Sequence, residues 1–127
     1  MANHMKYPCP CCGYLVFGEK PGSYDCCPIC YWDDDVVSLA LPTVAIGPNS
    51  VSLIEAQRNF REFGASERRF VGSVRQPYRD EEKDASWYPI TEEITHKFPN
   101  PDESFEYPED DMRLYYWKKD YFRKTPK

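Results

Sequence analysis

Four of the six cysteines in the chain have the spacing of a metal-binding site. Two residues separate Cys9 from Cys12, two separate Cys27 from Cys30, and 14 residues lie between the pairs. This arrangement is close to that of structural zinc sites with four cysteine ligands. A proline follows the first cysteine of each pair, which favours a tight turn. The spacing predicts one structural Zn²⁺ held by Cys9, Cys12, Cys27 and Cys30.

The predicted donor set argues against catalysis. Four thiolates complete the coordination sphere of zinc, whereas catalytic zinc sites keep one position open for water. The two histidines, His4 and His96, have no histidine neighbours in the sequence, and no phosphate-binding glycine loop or G-x-S-x-G motif is present. Carboxylates are numerous, but runs of them usually form solvated surfaces. We therefore predict that the protein is not an enzyme.

Two cysteines remain outside the predicted site. Cys11 and Cys26 each adjoin a predicted ligand, and replacing Cys12 by Cys11 would give a C-x-C pair, which makes a poor metal-binding turn. We expect both to pack as small, half-buried apolar side chains. The alternative is a reversible disulfide between them, which would fit a thiol-redox or metal-sensing protein.

The composition predicts a cytoplasmic location. No apolar run is long enough to span a membrane, and the N-terminus has no hydrophobic signal segment. Thiols stay reduced in the cytosol, which favours metal binding over disulfides. We expect a cytoplasmic protein with no membrane partner.

The pattern of the chain predicts an α+β fold. Residues 6–40 read as a small four-cysteine zinc ribbon with two β-hairpin knuckles, and Asp33–Asp35 are expected to face water after the second knuckle. Residues 41–127 read as a mainly helical, loop-rich remainder with acidic loops, packed on the ribbon in a single compact domain. Twelve prolines and an aromatic content of 16% fit a loop-rich but folded chain.

Four helices are predicted in the remainder. The clearest begins after Ser52, which forms a capping box with Glu55, and ends at Gly64. A second begins at Ser66, and a third covers Thr91–Lys97. The fourth covers residues 108–124, because its first turn is acidic, its end is basic and its apolar residues follow helical spacing.

Charge is unevenly distributed along the chain. The net charge is −5, but residues 80–111 carry −10 and residues 58–79 carry +4. The acidic balance makes nucleic acid an unlikely partner and favours a basic one. The basic stretch could still contact nucleic acid or a ribosome, although pairing with the acidic residues is the preferred interpretation. Its arginines are Arg58, Arg61, Arg68, Arg69, Arg75 and Arg79.

Three sequence blocks resemble one protein family. The blocks are YPCPCCGYLVF, GSYDCCPICYWDDD and PNSVSLIEAQRNFREFGASERRFVGSVRQP. In this order, over about residues 6–80, they are similar to the bacterial cysteine-rich CPCC family of small proteins. The resemblance implies that the four knuckle cysteines are the ligands. The family position of Cys26 is often aliphatic, which argues against an essential role for this thiol.

The family members are similar in size and charge to cytosolic immunity proteins that accompany bacterial toxins. By this analogy we predict that the protein binds and neutralises a cognate toxin with a basic cleft. The alternatives are a nucleic-acid- or ribosome-associated zinc ribbon, and a thiol-redox or metal-sensing protein. The candidate partner contacts are acidic and aromatic residues in two stretches: Trp32, Asp33, Asp34 and Asp35, then Trp87, Tyr88, Glu92 and Glu93.

Overall fold

The computed structural model describes residues 6–123 and has the predicted α+β class. Its regular elements are short and are joined by long loops. They are strands β1 (Tyr7–Pro8) and β2 (Leu15–Phe17), helices α1 (Val36–Ala40) and α2 (Leu53–Phe63), and 3-10 helices at Arg68–Phe70, Glu92–Lys97 and Asp111–Leu114. No helix in the described range is long and apolar enough to cross a membrane.

The first hairpin carries the first cysteine pair at its tip. Strands β1 and β2 are antiparallel, with Tyr7 opposite Phe17. A later segment joins the other side of β2, because Tyr14 bridges to Lys83 and the N–H of Leu15 donates to the carbonyl of Glu82 at 2.9 Å. This part of the ribbon is therefore built from two segments that lie about 70 residues apart in the sequence.

The second hairpin carries the second cysteine pair. Cys26 bridges to Asp33, and the N–H of Cys27 donates to the carbonyl of Trp32 at 2.9 Å. The N–H of Tyr24 donates to the carbonyl of Asp34 at the same distance. Both predicted knuckles are thus antiparallel turns.

Helix α2 has the predicted caps. The Ser52 hydroxyl accepts a hydrogen bond from the N–H of Glu55, and Gly64 adopts the left-handed conformation with φ of 84°. Leu53 and Ala56 are buried on the inner face. The predicted helix over Thr91–Lys97 is present as the 3-10 helix Glu92–Lys97.

The predicted helix over residues 108–124 is wrong in its described part. Only Asp111–Leu114 is helical, and the chain then turns so that the N–H of Phe122 reaches the carbonyl of Arg113 at 2.9 Å. Successive side chains of an α-helix point about 100° apart, so a surface helix could not bury three in a row. Tyr115, Tyr116 and Trp117 are all buried. Burial of these consecutive aromatics outweighs helix propensity.

The predicted helix after Ser66 is reduced to the single 3-10 turn Arg68–Phe70. Ser66 does not cap it: the residue before the turn is Glu67, which makes no side-chain cap hydrogen bond, and the buried Ser66 hydroxyl has no partner among the described residues. Helix α1, by contrast, had no sequence prediction. It begins after Asp35, whose carboxylate accepts from the N–H of Ser38.

The main hydrophobic core surrounds the cysteines. It combines the ribbon with α1, α2 and the C-terminal aromatics; its members include Cys9, Cys11, Cys12, Cys27, Cys30, Phe17, Ile29, Trp32, Leu39, Leu53, Leu114, Tyr115, Tyr116 and Trp117. The cysteine turns therefore pack inside the protein and do not project from it. The division into residues 6–40 and 41–127 stays a prediction.

Candidate metal centre

The structure brings four buried sulfur atoms together. Those of Cys9, Cys12, Cys27 and Cys30 all lie within 4.8 Å of one another. The Cys9 and Cys30 sulfurs are 3.5 Å apart, and the Cys12 and Cys27 sulfurs are 3.8 Å apart. All four side chains are inaccessible to solvent.

These separations fit a tetrahedral metal ion. A Zn²⁺ ion bound by four thiolates at about 2.3 Å requires sulfur–sulfur edges of about 3.8 Å. Two of the observed distances, 3.5 and 3.8 Å, lie close to that value, and all lie within 4.8 Å. The four cysteines are positioned to hold a metal ion, and a tetrathiolate donor set suits zinc or iron.

The two cysteine turns have the same backbone hydrogen bonds. The N–H of Gly13 donates to the carbonyl of Cys9 at 2.7 Å, and the N–H of Tyr31 donates to the carbonyl of Cys27 at 2.7 Å. In each turn the N–H of the first cysteine also donates to the carbonyl of the residue five positions later. This equivalence presents the two sulfurs of each pair in the same way to a shared centre.

Each turn ends in a left-handed residue. Gly13 has a φ of 83°, and its equivalent, Tyr31, has a φ of 72°. A side chain at Gly13 would also collide with the ring of Trp87, since a Cβ there would lie 2.6 Å from it. Left-handed backbone is unfavourable for a bulky residue. Stacking of Tyr31 on Phe70, with ring centroids 4.8 Å apart, helps to hold it.

The protonation states of the four thiols are interdependent. Burial raises the pKa of the Cys9 and Cys30 thiols well above the ordinary value. Burial acts in the same direction on Cys27, but hydrogen bonds from the neighbouring cysteines outweigh it and hold its pKa well below the ordinary value. A metal ion must therefore displace protons from this cluster, so its binding weakens as pH falls.

The other two cysteines differ from each other. Cys11 is buried, and burial raises the pKa of its thiol. Cys26 is exposed as a residue, but partial burial of its thiol, with the Asp33 carboxylate nearby, raises its pKa to about 11. Both thiols are mainly protonated at neutral pH, which makes them weak nucleophiles.

The acidic residues after the second knuckle are structural. Asp34 accepts from the hydroxyl of Ser23 at 2.6 Å, and Asp35 accepts from the N–H of Ser38 at 2.9 Å. Both carboxylates are buried, so the expectation that they face water is wrong. Trp32 is 0% exposed and packs in the core. These three side chains are occupied inside the fold and are not available to a partner.

Asp33 is half-buried, and its backbone is held by a side chain from the following loop. Its N–H donates to the amide oxygen of Asn49, and its carbonyl accepts from the Asn49 amide nitrogen, both at 3.0 Å. Asn49 therefore pairs with the edge of the second hairpin as a neighbouring strand would. Sequence reasoning did not identify this residue.

The later candidate contacts lie closer to the surface. Trp87 is half-buried, and its indole N–H donates to the carbonyl of Pro10 at 3.1 Å. Tyr88 is 38% exposed. Glu92 and Glu93 are exposed in the first turn of a 3-10 helix. Their role in partner binding stays a prediction.

A buried glutamine, which sequence reasoning missed, connects the first cysteine turn to the rest of the fold. The Gln57 amide nitrogen donates to the carbonyl of Pro10 at 2.9 Å and to the hydroxyl of Tyr116 at 3.0 Å. Its amide oxygen accepts from the N–H of Ile90 at 2.7 Å. The available signal was a polar residue four positions after Leu53, on the apolar face of α2.

Several arginines of the basic stretch are engaged. Arg75 forms a bidentate ion pair with Glu81, with N–O distances of 2.7 and 2.8 Å. Arg69 pairs with Glu67 at 2.8 Å. Arg68 lies over the ring of Phe63. Arg58, Arg61 and Arg79 are exposed. Of the two histidines, His96 is exposed, and His4 lies outside the described residues.

A model of the protein family described as Cysteine-rich CPCC matches residues 7–81. The match contains both cysteine turns and α2. It ends immediately before the segment that pairs with Tyr14 and Leu15. No curated protein matches the chain.

Proposed function

The chain belongs to the cysteine-rich CPCC family, and from this premise we propose that it is a non-enzymatic zinc protein that binds and neutralises a cognate bacterial toxin. In this proposal it is the immunity protein of a toxin–immunity pair. The zinc has a structural role, and the partner contacts a surface outside the metal centre.

The cysteine geometry supports a structural zinc. Cys9, Cys12, Cys27 and Cys30 would supply all four ligands, and all four side chains are buried. The bound ion would contribute folding free energy, on the order of 10–16 kcal/mol in zinc-finger peptides.

The observation that carries the proposal is an acidic surface with exposed tyrosines. Residues 80–111 have a formal charge of −10. Tyr88 and Tyr107 are 38% and 43% exposed. The exposed carboxylates that follow Tyr88 in this segment are Glu92, Glu93, Asp102, Glu103, Glu106, Glu109 and Asp110. We call this set, with the two tyrosines, the acidic surface.

The acidic surface has the chemistry that a basic cleft requires. Toxins that act on nucleic acids present such clefts to their substrates, and opposite charge accelerates association while aromatic side chains supply anchors. The base of the segment is fixed to the first cysteine turn, because the N–H of Asp84 donates to the carbonyl of Gly13 at 2.9 Å. A metal centre that orders this turn would also order the start of the acidic segment.

The arginine surface supports the nucleic-acid alternative less well. Arg69 and Arg75, two of its six arginines, are paired with carboxylates. Exposed carboxylates such as Glu62 lie close in sequence to the remaining arginines. Phosphate backbones are attracted by uncompensated positive charge.

The test uses the toxin domain encoded next to this protein in its genome. We expect saturable binding of the purified pair and survival of cells that express both. The double variant Glu106→Lys/Glu109→Lys reverses two exposed charges of the acidic surface and should weaken binding at least about tenfold, equivalent to about 1.4 kcal/mol.

The matched control is Glu19→Lys/Glu62→Lys, which makes the same change in net charge at exposed positions elsewhere. It should bind as the unmodified protein does. No saturable binding and no protection would refute the proposed function. Equal losses in the two double variants would show that net charge, and not the acidic surface, governs binding.

A further inference from the structure

A cleft in the C-terminal part of the protein is lined by four positively charged side chains. Lys97, Lys118, Lys119 and Arg123 surround a cavity of about 340 Å³. Such a concentration of positive charge is unexpected in a chain with a net charge of −5. The volume falls within the range of small-molecule sites.

Two of these cations are not neutralised. Lys118 forms an ion pair with Asp84 at 2.9 Å, and Arg123 pairs with Glu103 at 3.0 Å. Within residues 6–123, Lys97 and Lys119 form no ion pair. The cleft therefore has an excess of about two positive charges, which attracts an anion.

A buried hydroxyl lies at the same cleft without a hydrogen-bond partner. Tyr121 lines the cavity and is only 5% exposed. Its hydroxyl forms no hydrogen bond with any residue that the structure describes. A buried hydroxyl without a hydrogen-bond partner is energetically unfavourable. Burial raises the pKa of Tyr121 while the positive charge of Arg123 opposes this, so the hydroxyl stays protonated near that guanidinium.

The cleft also offers an aromatic wall. Tyr88 lines it with a ring that is 38% exposed, and this ring is supported edge-to-face by Tyr116 at 5.6 Å between centroids. The cavity is several times larger than a phosphate group. An anionic head and an attached organic group can therefore occupy it together.

We propose that this cleft binds a small molecule that carries a phosphate monoester. The phosphate lies between Lys97, Lys119 and Arg123. It accepts a hydrogen bond from the Tyr121 hydroxyl after the groups that cover this hydroxyl in the structure move aside. The organic part lies against Tyr88. The site shares Tyr88 with the acidic surface and adjoins it where Arg123 pairs with Glu103, and it requires no toxin.

Calorimetry with the full metal-loaded chain tests the proposal, with inorganic phosphate, ribose 5-phosphate and adenosine 5′-monophosphate as probes. We expect one saturable site for a phosphate monoester. Lys119→Gln removes an unpaired cation and should weaken binding roughly tenfold. Lys20→Gln, the same change at an exposed position in the loop after β2, should leave the affinity unchanged.

Tyr121→Phe provides a second readout. It should weaken phosphate binding but leave the free energy of unfolding unchanged or higher, because it removes an unsatisfied buried hydroxyl. A merely structural role would lower stability instead. If adenosine 5′-monophosphate binds more tightly than ribose 5-phosphate, the ligand is a nucleotide. If the two bind equally, the ligand is a phosphorylated sugar.

Three results would overturn the proposal. The first is no saturable binding of either ester. The second is equal binding of succinate, since any dianion would then suffice. The third is an equal loss in the Lys119→Gln and Lys20→Gln variants, since the attraction would then be unspecific.

Discussion

The indole N–H of Trp87 donates a 3.1 Å hydrogen bond to the carbonyl of Pro10, which lies between the two cysteines of the first turn. The side chain of Gln57 donates to the same carbonyl at 2.9 Å. One peptide group of the metal-binding turn thus connects α2 with a segment that lies beyond the family match. Substitutions that remove either hydrogen bond to this carbonyl should therefore affect the whole fold and not just one loop.

Gly13→Ala should strongly destabilise the protein. The new Cβ would lie 2.6 Å from the Trp87 ring, and the φ of 83° is unfavourable for alanine. Left-handed backbone alone costs about 1–2 kcal/mol, and the collision adds to it. We expect a total loss above about 2 kcal/mol in urea unfolding of the metal-loaded protein.

Gly64→Ala separates the two contributions. Gly64 has nearly the same φ, 84°, but a Cβ there meets no atom within 4 Å. Gly64→Ala should therefore lower the free energy of unfolding by only about 1–2 kcal/mol. If Gly13→Ala lowers the free energy of unfolding no more than Gly64→Ala does, Trp87 does not pack closely on the first turn.

Gln57→Ala should destabilise the protein by about 3 kcal/mol. It removes three hydrogen bonds and leaves the N–H of Ile90 buried without its acceptor. Thermal or urea unfolding measures the loss. Gln76→Ala, at an exposed position, serves as the control and should stay within about 0.5 kcal/mol. Equal effects of the two substitutions would show that the buried network contributes nothing.

The features predicted correctly from the sequence are those that depend on residues close together in the chain. Cysteine spacing gave the four clustered sulfurs, and Ser52 with Gly64 gave the bounds of α2. The failures came from long-range packing. Asp34 and Asp35 read as solvated charges, but they bond to Ser23 and Ser38.

The C-terminal segment failed for a related reason. Its charge pattern favours a helix, yet Tyr115, Tyr116 and Trp117 are all buried against the ribbon and α2. Their common burial requires partners that are far away in the sequence. No local pattern identifies those partners. A prediction based on helix propensity alone was therefore wrong.

Asp84→Asn should destabilise the protein in a pH-dependent way. Burial would raise the pKa of Asp84, but hydrogen bonds from Lys118, Trp117 and Ser86 outweigh it and hold this pKa well below the ordinary value. A depressed pKa stabilises the fold above the unfolded-state value of about 3.9, and this contribution is lost as pH falls further. We expect a loss of about 1–2 kcal/mol at neutral pH.

Urea unfolding of the unmodified protein and the Asp84→Asn variant across pH measures this effect. The stability difference should be constant above about pH 5 and shrink as the pH falls below about 4. Asp80→Asn changes an exposed carboxyl and should show neither effect. A difference that grows on acidification would contradict the assigned ion pair with Lys118.

Metal binding by single-cysteine variants tests the central claim most directly. Co²⁺ bound by four thiolates gives intense visible absorption that reports donor type and tetrahedral geometry. We expect one Co²⁺ per chain with this spectrum, displaced by one Zn²⁺. Cys9→Ser, Cys12→Ser, Cys27→Ser and Cys30→Ser should each change the spectrum and weaken binding, because each removes one of four clustered sulfurs.

Cys11→Ser and Cys26→Ser are the matched controls, since each removes a thiol next to a ligand. Both should retain the tetrathiolate spectrum and the stoichiometry of one ion per chain. A protein that binds no Co²⁺ or Zn²⁺, or a control variant that loses the tetrathiolate spectrum, would contradict the assignment of Cys9, Cys12, Cys27 and Cys30 as the metal ligands.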